Sequence, residues 1–343
     1  MEKITYQQAG VNIDAANEAK HRIKNLARKT FNSQVLTEIG SFGALFRTNF
    51  QNMKDPVLVA STDGVGTKLK IAFLTGIHNT IGYDLVAHCI DDIAVQGARP
   101  LFFMDYIATG ELSPSIVADI IEGITRACLE ANCPLIGGET AEMPGFYSAG
   151  EYDVAGFILG VVDRDKIIDG SKIKAGDQLI GLPSLGLHTN GYSLARKLFF
   201  DIAKYNVDSH LPELNSTVAE ALLKAHRNYF PTLSGLFEQD LVNGLAHITG
   251  GGFLENIPRI LPDNTQAVIN LGTWLVLPVF EVMQKIGNID QNEMYRVFNM
   301  GIGMIVVVSK ENFETVITHF KNLNEPCYHI GEITVGNKEV KLV

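Results

Sequence analysis

Gly137-Gly138-Glu139-Thr140-Ala141-Glu142-Met143-Pro144-Gly145 is the stretch of this chain that says most about its fold and chemistry. It follows the apolar run Pro134-Leu135-Ile136, which predicts the end of a buried strand. Paired glycines there leave backbone N–H groups open to an oxygen-rich ligand. Because the two carboxylates beside them would repel a phosphate, the pattern indicates Mg²⁺ between carboxylate and phosphate. A tight turn with solvated glutamates is the alternative interpretation.

A second strand-like run, Pro56–Ala60, opens into Ser61-Thr62-Asp63-Gly64-Val65-Gly66-Thr67-Lys68. An acid and glycines again follow a strand, here with a lysine that could reach a phosphate. The spacing is not that of a P-loop, and Leu69 occupies the third glycine position of the dinucleotide fingerprint. If this segment binds a nucleotide, it does so in another fold.

The third segment is a predicted helix over Ile81–Ala94, with one apolar face. Asp84, His88, Asp91 and Asp92 fall within an arc of about 100° on that helix. Like charges at this spacing are mildly destabilising, so the arc is either solvated or faces a cation. Three acid-bearing segments in one half of the chain favour the cation.

Composition excludes several classes of protein. The chain has 343 residues, 46% hydrophobic and 19% charged, which predicts a globular protein of two domains. Its net charge of −10 argues against nucleic acid or an anionic membrane as a partner. We expect neither an N-terminal signal nor a membrane span. Four cysteines without C-x-x-C spacing predict a reduced, cytoplasmic protein without disulfides.

Alternating strands and helices in both halves predict an α/β (α+β) fold with two domains. Charges and turn signals place the boundary in Asp163–Asp177, giving domains of residues 1–166 and 167–343. Ser113 and Pro114 predict the start of a helix that runs to about Glu130. Thr217 and Glu220 predict a capping box for a helix that ends near His226.

Two histidines lie in glycine-rich loops after predicted strands. His188 is in Gly186–Gly191, before a helix, where an anion or acid–base chemistry is favoured. His247 precedes Thr249-Gly250-Gly251-Gly252 in a similar position. A structural histidine is the alternative in each case.

Five motifs in order resemble the aminoimidazole ribonucleotide synthetase family, also called phosphoribosylformylglycinamidine cyclo-ligases. They are Asp63–Lys68, Gly137–Gly145, His188–Leu194, His247–Gly252 and Phe298–Gly303. The resemblance runs from near Tyr6 to the last predicted strand. It implies an N-terminal sheet domain that forms a dimer-spanning β-barrel with its twin, and a C-terminal α/β sandwich.

The resemblance also implies an activity: ATP-dependent ring closure of formylglycinamidine ribonucleotide to aminoimidazole ribonucleotide through an iminophosphate, in a homodimer. The implied Mg²⁺ ligands are Asp63, Asp92 and Glu139, with Asp91 and Glu142 in reserve. The implied nucleotide-binding residues are Lys24, Asp63, Gly64, Gly66, Thr67, Lys68, Gly137, Gly138, Thr249, Gly250, Gly251 and Gly252, with Lys68 neutralising a phosphate. At the formyl end of the substrate the resemblance implies His188, Asn190 and His247.

The chain departs from the pattern of the family at a few positions. Asp91 stands where Asn is usual and Asn12 where Asp is usual, while Thr189 replaces a common Ser. His226 precedes Arg227 where Thr is usual. The first departure leaves the metal-ligand set open.

Two alternatives to the cyclo-ligase remain. One is a sister ATP-dependent synthetase, although no cysteine precedes Cys89, as selenophosphate synthesis would need. The hydrogenase-maturation relative carries a C-terminal cysteine, whereas this chain ends in Lys341-Leu342-Val343. The other alternative is a non-catalytic nucleotide-binding dimer, against which the acids of all three segments argue.

Overall fold

The computed structural model describes residues 6–343 and shows two α/β domains, each built on its own sheet. The first domain contains helices α1 (Ile13–Ala27), α2 (Leu69–Thr75), α3 (Ile81–Ala94) and α4 (Pro114–Glu130), and strands β1 (Pro56–Gly64), β2 (Arg99–Thr109), β3 (Leu135–Glu142) and β4 (Tyr152–Asp163).

The sheet of the first domain has the strand order β1-β4-β2-β3. Strands β2 and β3 are parallel because α4 returns the chain across the sheet, whereas the other two pairs are antiparallel. Helices α3 and α4 pack together and bury the apolar residues of one sheet face. On the strands, Leu58, Tyr106 and Phe157 remain 55%, 40% and 42% exposed. This domain therefore carries an apolar surface and two edge strands, β1 and β3, whose outer sides are unpaired within residues 6–343.

The second domain contains the remaining elements. They are helices α5 (Tyr192–Arg196), α6 (Val218–Leu222), α7 (Phe230–Phe237), α8 (Gly252–Asn256), α9 (Pro278–Gly287), α10 (Gln291–Val297) and α11 (Phe313–Asn322), and strands β5 (Gln178–Pro183), β6 (His210–Leu211), β7 (Ser216–Thr217), β8 (Gly244–His247), β9 (Thr265–Ile269), β10 (Ile302–Val308), β11 (Tyr328–Val335) and β12 (Val340–Leu342).

Six of these strands form a sheet in the order β12-β9-β11-β5-β10-β8. Both faces of that sheet are buried. Leu179 of β5 packs into one apolar core, while its neighbours Ile180 and Leu182 pack into a second core on the opposite face. The second domain is therefore a sandwich with apolar layers on both sides of one sheet.

The sequence predicted several element boundaries correctly. Helix α3 has the predicted bounds, and α4 begins at Pro114 as expected. The Thr217–Glu220 capping box is present, but α6 ends at Leu222 rather than near His226. Beyond that helix the backbone N–H of His226 is bonded by a side chain of the first domain. A contact between the domains therefore holds His226 outside the helix that the local pattern predicted.

No helix within residues 6–343 is both long enough and apolar enough to cross a membrane.

Candidate active site

The polar arc of α3 faces the second domain, where it meets backbone groups rather than solvent. Asp84 and Asp91 are completely buried. Asp84 Oδ1 accepts the N–H of His226 at 2.6 Å, and Asp91 Oδ1 accepts that of Tyr229 at 2.8 Å. Burial raises the pKa of Asp91 well above its usual value. Asp91 is thus a structural acceptor at the domain interface, and its assignment as a reserve metal ligand stays a prediction.

The other two groups of the arc, His88 and Asp92, belong to a hydrogen-bonded network that joins the domains. His88 Nε2 donates to Asp63 Oδ2 at 2.7 Å and lies 3.8 Å from Asp92 Oδ2. His247 Nδ1, at the end of β8, donates to Asp92 Oδ1 at 2.9 Å. The Thr189 hydroxyl contacts His88 Nδ1 at 2.7 Å. The structure therefore brings Asp63 and Asp92, two of the expected Mg²⁺ ligands, together with His247, which was expected at the substrate.

Opposite charges in this hydrogen-bonded network stabilise one another. Burial opposes the charge of Asp63, but the hydrogen bond and the charge of His88 lower the pKa of this carboxyl. The pKa of Asp92 is likewise lowered, since contact with His247 outweighs burial. Burial disfavours the His88 cation, yet Asp63 and Asp92 raise its pKa above the usual value. Asp63 and Asp92 are therefore ionised and only partly exposed at neutral pH.

A buried cluster of three histidines adjoins this network; its members are His188, His226 and His247. His247 Nε2 lies 3.1 Å from His226 Nε2, and the rings of His188 and His226 are 4.0 Å apart. Neither ring nitrogen of His188 has a hydrogen-bond partner among residues 6–343. Its φ of +59° is uncommon for a residue other than glycine. The predicted residues His188 and His247 therefore share one cluster. His226 belongs to it as well, although the sequence had assigned this residue no function.

Asn190 extends the site towards the glycine loop after β8. Its side-chain oxygen lies near Gly250, where an added Cβ would stand 3.3 Å from it. Asn256 Nδ2 donates to the carbonyls of Thr249, Gly250 and Gly252, which fixes that loop. Asn190, expected at the substrate, and the Thr249–Gly252 loop, expected at phosphates, are therefore neighbours.

Asn299 is a supporting residue that the sequence interpretation left without a role. Its amide accepts from the Ser184 hydroxyl and donates to the Gly186 carbonyl, both at 2.9 Å. These bonds hold the loop that carries His188. Gly303 lies beside the same histidine, since a Cβ there would stand 2.5 Å from its Cε1. The Phe298–Gly303 motif contained the signal, but only the fold shows what these residues support.

Lys68 is not placed where a phosphate could reach it. Its ammonium group is completely buried, 2.7 Å from Asp84 Oδ2, and it donates to the carbonyls of Lys224 and His188. The expected phosphate contact is therefore replaced by an ion pair at the domain interface. Gly64, Gly66 and Thr67 precede it along the same edge, where the Thr67 and Ser193 hydroxyls are 3.2 Å apart.

Gly137, Gly138 and Glu139 lie at the opposite edge of the first sheet. Glu139 is in register with Tyr106, Ala155 and Gly64 in turn. Three strand spacings separate it from the Asp63–Gly64 edge, about 14 Å. Within one chain the three predicted Mg²⁺ ligands are therefore not together, because β1 and β3 are opposite edge strands.

A cavity of about 480 Å³ lies at the β3 edge and includes Lys24, Gly137, Gly138 and Glu139. Asp105 forms part of its wall, and burial raises the pKa of this carboxyl to about 7. Gly138 allows that carboxyl to approach, since a Cβ there would lie 2.4 Å from Asp105 Oδ1. The sequence had not singled out Asp105, which stands inside an otherwise ordinary strand pattern.

Glu142 has a structural role at the end of β3. Its two carboxylate oxygens accept the N–H groups of Asn12 and Leu112 at 2.8 and 2.7 Å. It thereby ties the start of α1 to the sheet. Its assignment as a reserve metal ligand stays a prediction.

Comparison with known proteins gives matches along almost the whole chain. The family described as "AIR synthase related protein, N-terminal domain" matches residues 44–162, and its C-terminal counterpart matches residues 174–343. The chain is 55% identical to the phosphoribosylformylglycinamidine cyclo-ligase of Citrifermentans bemidjiense, covering 99% of both chains. It is 51% identical to the protein of that name from Alkaliphilus oremlandii, covering 99% of this chain and 100% of the relative.

Solved structures share the fold at much lower identity. Thiamine-monophosphate kinase from Stenotrophomonas maltophilia gives a TM-score of 0.68 at 17% identity, covering 95% of both chains. The hydrogenase maturation protein HypE in complex with ATP gives 0.66 at 17% identity, covering 94% of this chain and 90% of that one. The fold and the site define a two-domain α/β enzyme. The chain belongs to the AIR synthase family, and it is an ATP-dependent cyclo-ligase of purine biosynthesis.

Proposed function

We propose that this enzyme closes the imidazole ring of aminoimidazole ribonucleotide, using ATP to phosphorylate the formyl oxygen of formylglycinamidine ribonucleotide. The names of the relatives support this substrate. The observation that carries the proposal is the 2.9 Å hydrogen bond between His247 and Asp92. It joins an ionised carboxylate of the first domain to the end of β8, which leads into the Thr249–Gly252 loop of the second domain.

Two parts of the first domain would serve ATP. The cavity beside β3 is large enough for a nucleoside and offers Lys24 together with the Gly137–Gly138 backbone. Asp63 and Asp92 offer ionised oxygen ligands, the kind that Mg²⁺ prefers. When bound, the ion would neutralise phosphate charge during transfer. Their partly exposed side chains fit that group.

The chemistry requires a leaving group better than an amide oxygen. The formyl oxygen attacks the γ-phosphorus, and the bond to the ADP oxygen breaks. The amidine nitrogen then bonds to the formyl carbon, and phosphate leaves with the former formyl oxygen. Asn190 would orient the amide. His188 would take the proton of the attacking nitrogen: both of its ring nitrogens lack partners within the described chain, and burial and nearby cations lower its pKa, so the ring is neutral and has a free lone pair.

A second protomer would complete the metal site. The first-domain sheet exposes Leu58, Tyr106 and Phe157 and leaves β1 and β3 open within residues 6–343. Such edges are normally covered or paired. In the proposed homodimer, the two sheets close into a barrel and the β3 edge of one protomer lies beside the β1 edge of the other. Glu139 would then join Asp63 and Asp92 across the interface.

An isotope experiment tests the reaction. Substrate carrying ¹⁸O at the formyl oxygen should transfer the label to inorganic phosphate. Label found in water would exclude direct phosphorylation of that oxygen. ATP cleavage that does not depend on this substrate would favour a sister synthetase, and no substrate-dependent cleavage would favour a non-catalytic dimer.

Mixed dimers test the shared metal site. Asp63→Asn and Glu139→Gln protomers should each be inactive alone. Random mixing would make half of the dimers mixed, each with one intact site of two, so about a quarter of wild-type activity should return. If both acids serve the same protomer, mixing restores nothing. Size-exclusion chromatography confirms that both variants remain dimers.

A further inference from the structure

The hydrogen bonds around His226 and His247 leave two lone pairs facing each other. His247 Nδ1 contacts the carboxylate of Asp92 at 2.9 Å, and His226 Nδ1 contacts the Arg227 carbonyl at 2.9 Å. Both partners only accept, so each Nδ1 carries the ring proton. A neutral imidazole has one N–H. The two Nε2 atoms, 3.1 Å apart, then have no proton between them.

Two nitrogen lone pairs at this distance repel unless a cation lies against them. A third imidazole is adjacent, since one nitrogen each from His188, His226 and His247 lies within 4.8 Å of the others. Both nitrogens of His188 are buried and have no partner among the residues that the structure describes. The cluster thus offers three buried nitrogen ligands.

The surroundings also match those of a metal centre. Ligating histidines usually donate their second ring N–H to a carboxylate or a backbone carbonyl, as His247 and His226 do here. Tetrahedral Zn²⁺ bound at about 2.0–2.1 Å holds its nitrogen ligands about 3.3 Å apart. The Nε2 atoms of His226 and His247 are 3.1 Å apart, which is close to this distance. Burial lowers the pKa of His188 and of His226, which favours the neutral ligand form.

We infer that His188, His226 and His247 form a binding site for a divalent transition metal of the Zn²⁺ class, with a fourth position open. Imidazole nitrogen is a poor ligand for Mg²⁺, so this site is distinct in chemistry from the carboxylates of Asp63 and Asp92. A metal and a proton need the same lone pair of His188. Metal occupancy and the proposed proton transfer therefore exclude each other.

Cobalt provides the direct test. The untagged full chain, stripped with a chelator and kept in saturating Mg²⁺, is titrated with Co²⁺. We expect one equivalent to bind with the intense visible absorption of a tetrahedral centre, and Zn²⁺ to abolish that absorption. His226→Asn keeps an amide near the Nδ1 position but lacks the Nε2 ligand. Its affinity should fall more than about 100-fold, beyond the loss typical of an outer partner.

His210→Asn is the matched control, because His210 is an exposed histidine that does not belong to the cluster. It should bind Co²⁺ as the wild type does. Absence of tetrahedral absorption in the wild type, or equal binding by wild type and a folded His226→Asn, overturns the inference. If His226→Asn does not fold, ¹⁵N-histidine spectra of the wild type decide. Zn²⁺ must then shift one ring-nitrogen signal of each of the three histidines. A proton on Nε2 of His226 or His247 that remains in the presence of Zn²⁺ contradicts the site.

The titration contains neither ATP nor the ribonucleotide. Failure to bind metal would therefore leave the proposed ring closure untouched, and failure of the isotope experiment would leave the metal site untouched.

Discussion

Replacing Lys68 separates its predicted role as a phosphate contact from the role that the structure gives it. Lys68 and Asp84 are both completely buried, with Nζ and Oδ2 2.7 Å apart. The ammonium group also donates to the carbonyls of Lys224 at 2.7 Å and His188 at 3.2 Å. Lys68→Met keeps most of the apolar side chain but leaves the Asp84 carboxylate without its partner.

The expected loss follows from burial. Breaking a buried ion pair by removing one partner costs about 3–5 kcal/mol, because an uncompensated charge stays in the interior. Burial already opposes both charges, lowering the pKa of Lys68 and raising that of Asp84. At about 2–4 °C per kcal/mol for domains of this size, we expect the thermal midpoint to fall by about 6–20 °C.

Thermal unfolding followed by circular dichroism and the KM for ATP are the two measurements. Lys68→Met should be strongly destabilised, and adding Asp84→Asn should recover at least half of the loss, because the amide is neutral and its oxygen still accepts the His226 N–H. An unchanged midpoint together with a raised KM for ATP would refute the structural role and restore the phosphate contact.

Three further predictions follow from the same geometry. Asp92→Asn should lose most turnover and, if any remains, need more Mg²⁺, as measured by ADP release; near-normal turnover at limiting Mg²⁺ in both this variant and Glu139→Gln would contradict their assignment to the metal. Asn299→Ala loses three hydrogen bonds of 2.9 Å, so we expect about 3 kcal/mol less stability and a lower kcat; a lower kcat with an unchanged unfolding midpoint would contradict its supporting role. Folding raises the pKa of Asp105 from 3.8 to about 7 through burial. The folded protein therefore binds this proton more tightly, and up to about 4 kcal/mol of stability should be lost as pH rises from 4 to 7. Asp105→Asn should flatten this slope in urea titrations, and an unchanged slope would contradict a buried neutral carboxyl.

The sequence by itself determined the family, most of the local elements and several members of the site. Helix α3 was predictable because its apolar residues recur with helical spacing, and α4 because Ser113-Pro114 marks its start. Asp63, Asp92 and His247 were predictable because each stands in a motif at the end of a strand or on the polar arc. Local periodicity and turn chemistry act over a few residues, so they can be read without the fold.

Contacts between distant segments decided the rest. The acids of α3 looked like a solvated or cation-binding arc, yet Asp84 and Asp91 accept backbone N–H groups more than 100 residues away. Lys68 was assigned to phosphate because its motif is glycine-rich, and only the packing of the domains shows its buried partner. His226 lacks any local motif. Its position beside His247 depends on where the chain runs after α6, which no pattern in its own segment encodes.

Strand order likewise belongs to the tertiary structure. β1 and β3 carry similar acid and glycine motifs, which suggested one shared site. The sheet places them at opposite edges, because β4 pairs with both β1 and β2 and so lies between them. Sequence specifies which residues can bind a cation, since that depends on side-chain chemistry. Which of them meet depends on how the strands pair. Every residue offers the same backbone hydrogen bonds, so these bonds do not select the neighbouring strand. The packing of the whole domain selects it.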